Sequence, residues 1–119
     1  MIVLVCGSRT WTDKQLITAE LMEIRSKKGL HLVIHGAARG ADRLAGIVAK
    51  ELGVPVREYP ANWDAYGRAA GFIRNEAMVD SKPDLVLAFW DGRSKGTKHT
   101  VEYAQKKGIE TRIVHPVPR

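Results

Sequence analysis

Cysteine is nearly absent: Cys6 stands alone among 119 residues, so no internal disulfide can form and nothing calls for an oxidising compartment. Long apolar runs are absent too. None approaches the roughly 20 residues that a membrane-spanning helix needs. The opening MIVLVCGSR has no basic leader and no small-residue cleavage site, which reads as a chain without a signal peptide. Together these absences point to a cytoplasmic protein with no membrane partner. Metal-ligand spacing is also missing. His35 and His99 fall in neighbouring loops with no further ligands around them, and no Ser-His-Asp or Cys-His arrangement stands out. Neither a metal nor a cofactor is called for, and Cys6, closing an apolar strand, reads as an inert core thiol.

Acidic residues are in deficit, 13 against 19 Lys plus Arg, for a formal net charge of +6. A field of that sign favours anionic ligands, nucleotides and polynucleotides among them. The plainer account is a solvated surface, with lysines such as Lys27, Lys50 and Lys106 near helix ends, where they complement the dipole.

What the chain does have is regular alternation. Apolar runs of strand length, at 2–6, 32–34, 54–59, 84–90 and 109–114, are separated by stretches with three- and four-residue apolar spacing at 13–28, 41–52, 64–81 and 97–107. Strand-helix alternation predicts an α/β fold: one domain over 1–119, an open parallel sheet of about five strands with helices on both faces. The segments after the strands are GSRTW, HGAARGAD, PANWDAYGR and DGRSKGT, rich in Gly, Arg, Ser and Thr, whereas the returns to the next strand are plain turns. In such a sheet the former loops converge at the carboxyl edge, where ligands bind.

Two loops have phosphate-binding character. Gly36, Ala37, Arg39, Gly40 and Asp42 bring small residues, a guanidinium and an acid to the start of the second helix. Ser94, Gly96 and Thr97 bring hydroxyls and free amides to another helix start, although the spacing is not that of a Walker loop. Each also has a structural reading, Asp42 as a first-turn acid and Ser94 as a cap. Gly7, Ser8 and Arg9 add a third cluster, with Arg9 and Arg39 suited to clamp a phosphate. Trp11 and Trp63 either stack on a base or plug the edge of the core. By spacing alone Arg74 is either a solvated helical arginine or one half of a surface ion pair with Glu76 or Asp80.

Five ordered motifs resemble the SLOG superfamily and, within it, the small YspA-type, cpYpsA-related members: G-S-R-x-W at 7–11, H-G-A-A-R-G-A-D at 35–42, Y-P-x-N at 59–62, R-N-x-x-M at 74–78 and S-x-G-T-x-x-T at 94–100. The resemblance implies a Rossmann-like sheet with its pocket at the strand carboxyl ends, and it assigns Arg74 and Asn75 to the ligand. LOG-type phosphoribohydrolases share the arginine, but Asn75 stands where they have lysine, and His99 or Thr100 where they have a catalytic glutamate. On that comparison the candidate catalytic residues are Arg74, with Glu102 or Asp42 as the acid. A carboxylate would stabilise the charge that builds on ribose as the glycosidic bond breaks. DNA-processing protein A, which binds single-stranded DNA, is similar in the G-S-R, G-x-A-R-G-x-D and R-N segments.

The expected function is therefore binding or sensing of a nucleotide or nucleotide-derived small molecule, ADP-ribose-like in kind. The alternatives are an N-glycoside hydrolase acting on nucleoside monophosphates and a binder of single-stranded nucleic acid. A homodimer or higher homo-oligomer is a further expectation, from related proteins that pair through helices.

Overall fold

The structure, a computed structural model, describes residues 1–118. Strand β1 (Ile2–Gly7) leads to α1 (Lys14–Lys27), β2 (Leu32–His35), α2 (Ala41–Glu51) and β3 (Val56–Glu58). The chain continues through the single turn α3 (Trp63–Tyr66), a 3-10 turn (Gly67–Ala69), α4 (Ala70–Asp80), β4 (Leu85–Phe89), α5 (Lys95–Lys106) and β5 (Glu110–Val114). All five strands are parallel, in the order β3-β2-β1-β4-β5. This is the expected Rossmann-like α/β sheet, and its strand order reverses direction between β1 and β4.

The period-two alternation of the central strands sorts two cores. Val3, Val5, Leu85, Leu87 and Phe89 face one side, where they pack with Ile17, Leu21 and Val48 of α1 and α2. Leu4, Cys6, Val86 and Ala88 face the other, against Met78 and Val79 of α4 and Val101 and Ala104 of α5. Because both faces of β1 and β4 are covered, their side chains are apolar at successive positions, as parallel sheets require. The edge strands differ. β3 is three residues long with Arg57 and Glu58 exposed, and β5 turns Glu110 and Arg112 outward, the latter 3.5 Å from Glu20.

Two expectations are corrected. The strand over 54–59 shrinks to Val56–Glu58, since Pro55 has no N–H to give the ladder. The helix over 64–81 is interrupted: Gly67 adopts φ +56°, outside any right-handed helix, and splits the segment into α3 and α4.

Candidate functional site

The switch between β1 and β4 opens a cleft of about 260 Å³. Its walls come from Gly7 and Arg9 after β1, Ala38 and Asp42 at the start of α2, Arg74, Asn75 and Met78 of α4, and the 94–97 segment with Thr100 at the start of α5. Cys6 reaches it from the end of β1, and burial pushes its thiol far above the ordinary cysteine range.

The loops are locked to one another by backbone contacts that only glycine permits. Gly7 pairs with Phe89 across β1 and β4, and a Cβ on it would land on the Phe89 carbonyl oxygen and within 2.7 Å of the Ala41 Cβ. Gly40, at φ +76°, lies against the carbonyl oxygens of Ser8 and Arg9, and the next amide, Ala41 N–H, donates to Ser8 O at 3.2 Å. The Ser8 hydroxyl is buried and accepts from the Asp91 amide at 3.0 Å. Asp91 in turn accepts from the amides of Arg93 at 2.8 Å and Ser94 at 3.1 Å, and these bonds hold its carboxyl below the usual range. Trp90 fixes the same turn by donating its indole N–H to Ser94 O at 3.1 Å.

Ser94 caps α5: its Oγ accepts from the Thr97 amide at 3.3 Å and the Thr97 hydroxyl at 2.9 Å. The amides of Lys95 and Gly96 lie in the first turn, where a helix has no internal acceptor for them. Arg74 and Asn75 tie this helix start to the other loops. The Arg74 guanidinium donates to Gly36 O, to Tyr59 O at 3.5 Å and to Asn75 Oδ1 at 2.8 Å, and Asn75 Nδ2 donates to Gly96 O at 3.3 Å. Burial pulls the Arg74 pKa below its ordinary value, with Asp42 opposing that pull and Arg9 adding to it.

With this geometry in place, the sequence comparisons decide the family. The model of the YspA, cpYpsA-related SLOG family matches residues 1–66, which carry β1, β2 and the loops that follow them. The chain belongs to that family. The SLOG chain is also 41% identical over 114 residues to the Gene 61 protein of Mycobacterium phage D29, covering 90% of each. DNA processing protein A (DprA) from Streptococcus pneumoniae shares its fold, with a TM-score of 0.74 at 19% identity over 98% of this chain. This SLOG chain spans about half the length of that structure, 50%.

Asp42 is the one carboxylate lining the SLOG cleft among the described residues. It accepts from the Gly36 amide at 3.0 Å and the Ala38 amide at 3.4 Å. Burial nevertheless raises its pKa from 3.8 to about 6, against the pull of Arg74, the two amides and Arg9. An acid whose folded pKa is raised contributes stability that is fully present below pH 3.8 and is lost as pH climbs through about 6. Asp42→Asn, which stays neutral, is therefore expected to be more stable than the parent at pH 7.5 by about 1–3 kcal/mol, with the gap closing near pH 4. Urea midpoints of both proteins across that range test this, and a gap independent of pH would refute it.

The expected site residues separate into groups. Gly7, Arg9, Asp42, Arg74, Asn75, Ser94, Gly96 and Thr97 meet at the first cleft. Gly36, Ala37, Arg39 and Trp63 line a second cleft of about 350 Å³, which shares Arg9, Ala38 and Arg74 with the first. Gly40 serves the packing of the loops. Three residues lie elsewhere. Trp11 is buried, packs 5.4 Å from Phe89 between ring centroids and donates its indole N–H to Asp13 O, so it takes the core alternative. Ser8 gives its hydroxyl to the loop after β4. Glu102 is exposed and absent from the cleft lining, because two residues beyond Thr100 is about 200° around a helix.

The histidines take separate partners: His35 accepts from the Ala37 amide through Nδ1 at 2.9 Å, and His99 meets Glu76 at 3.1 Å. Glu76 and Asp80 are thus not partners of Arg74; Asp80 accepts from the Tyr103 hydroxyl at 2.8 Å. Met78 and Thr100 of the first cleft ended two of the quoted motifs without being read as site residues, and Arg43 of the second cleft was missed altogether. Thr100 was accessible to a sequence reading, one turn beyond Thr97 on the same helix face.

Proposed function

We infer that this SLOG domain binds a nucleotide or nucleotide-derived small molecule, ADP-ribose-like in kind, with a phosphate at the start of α5, and that it does not cleave its ligand. The observation that carries the reading is Gly96. A Cβ there would meet nothing within 4 Å, so packing does not require this glycine as it requires Gly7. Side chains on a helix tilt toward its N-terminus, so the Cβ would project toward the free first-turn amides, where an anion would sit. Arg9, Arg74 and Lys95 supply positive charge around that point. For glycoside cleavage the cleft offers a single carboxylate among the described residues, that of Asp42, whose Oδ2 already accepts from two backbone amides.

Gly96→Ala separates fold from function. Its stability should equal or exceed the parent's by about 0.4–1 kcal/mol, since alanine restricts the unfolded chain. Its affinity for adenosine monophosphate should fall by about 1–3 kcal/mol, the cost of overfilling a close-fitting contact. Calorimetric titration beside thermal melting reads both. Unchanged affinity would remove the phosphate from this position, and release of free adenine during prolonged incubation with the parent protein would replace binding by hydrolysis.

A further inference from the structure

We propose that the second cleft is a subsite for a second nucleoside, joined through phosphate to the one held in the first, with the linking phosphate on Arg39 and Arg43 and the base on Trp63. This rests on the first cleft being a nucleotide site. The two clefts are continuous, because Arg9, Ala38 and Arg74 line both. Four guanidinium groups, those of Arg9, Arg39, Arg43 and Arg74, surround the second, and no carboxylate lines it among the described residues. Arg9, Arg39 and Arg43 donate no side-chain hydrogen bond and close no ion pair within 4.0 Å among those residues, and all three are exposed.

Helix polarity sharpens the point. Arg39 and Arg43 flank the N-terminus of α2, an 11-residue helix whose positive end disfavours cations. The acid of that first turn, Asp42, is buried and turned toward the Gly36 and Ala38 amides. Mutual repulsion among the arginines and repulsion by the helix end are both relieved by one bound phosphodiester or pyrophosphate, which guanidinium groups grip by paired hydrogen bonds.

An isolated phosphate would leave Trp63 unexplained. This ring is 53% exposed at the mouth of the same cleft, anchored by one edge beside Gly71, and its neighbours Pro60 and Ala61 present no charge. A flat apolar face beside a cluster of phosphate-seeking groups is what a stacked base requires. The same chemistry occurs in a free dinucleotide with a pyrophosphate link and in a dinucleotide step of single-stranded DNA.

The test compares three probes on the full chain: adenosine monophosphate, diadenosine 5′,5′-diphosphate, and the 5′-phosphorylated deoxyadenosine dinucleotide with a 3′,5′ link. At least one two-nucleoside probe should bind about 10-fold or more tighter than the monophosphate, as a second stacked base implies. It should also quench tryptophan fluorescence, with that quench absent in Trp63→Ala. In Arg39→Ala/Arg43→Ala the ratio of the two affinities should fall toward one. Circular dichroism verifies the fold, and both arginines are exposed. Gain with the pyrophosphate probe assigns a free dinucleotide, and gain with the phosphodiester assigns a strand. Monophosphate binding with no gain from either probe, or a gain that survives in both variants, overturns the proposal. Absence of binding by all three overturns the reading of the first cleft instead.

Discussion

Arg74→Ala is expected to weaken binding of adenosine monophosphate by about 1.5–3 kcal/mol, roughly 10- to 150-fold, the range for a hydrogen bond to a charged group. Among the described residues no other side chain joins as many parts of the site. It reaches Gly36 O in the loop after β2, Tyr59 O after β3 and Asn75 Oδ1 on its own helix, and through Asn75 it bears on Gly96 O at the start of α5. Removing it takes a cation from the cleft and frees the two carbonyls and Asn75 to move. Part of the loss is thus positional, and Arg74→Lys distinguishes the two parts. Lysine restores the charge but lacks the planar fork that serves several acceptors at once. Calorimetric titration should place Arg74→Lys between the parent and Arg74→Ala. Equal affinity of Arg74→Ala and the parent would show that the ligand does not use this cleft.

Gly7→Ala is expected to be strongly destabilising, although it adds only one methyl group. Its Cβ would need the space of the Phe89 carbonyl oxygen and of the Ala41 Cβ, which belong to β4 and to the first residue of α2. Neither is the flexible end of a side chain. Relief requires either parting the central strands at their last register pair or moving α2, and overpacking of this kind costs about 3 kcal/mol or more. Against a total stability of about 5–15 kcal/mol, that corresponds to a fall in melting temperature of about 10–20 °C. Circular dichroism melts of Gly7→Ala beside Gly96→Ala make the comparison internal. A Gly7→Ala protein that melts with the parent would mean that β1 and β4 are less closely joined at this edge than the structure has them.

The fold was legible because both of its signals are periodic. Apolar pairs in β1 and β4 face opposite cores, and the helix spacing matches one buried stripe each. What breaks a period locally was not legible: nothing in the pattern over 64–81 marks Gly67 as the residue that leaves the right-handed region. The converging loops showed their chemistry as composition, so Arg9, Ser94 and Thr97 could be placed at the edge of the sheet. Their division into two clefts could not, since it depends on where Arg74 reaches from α4. Ser8 and Trp11 sit in a loop as suggestive as any, yet a hydroxyl turned to the Asp91 amide and an indole turned into the core serve the scaffold. Loop composition does not reveal which way a side chain points.

The two outer strands bear on how copies of this chain can meet. An open sheet exposes unpaired backbone groups along each border, an invitation to edge-to-edge stacking and aggregation. Here one border is only three residues long and lies between Pro55 and Pro60, while the other sets Glu110 and Arg112 outward. Extending the sheet into a neighbour would gain few ladder bonds on the first side and oppose like charges on the second if the register brought them together. Both borders of the sheet thus give a neighbouring strand little to add to.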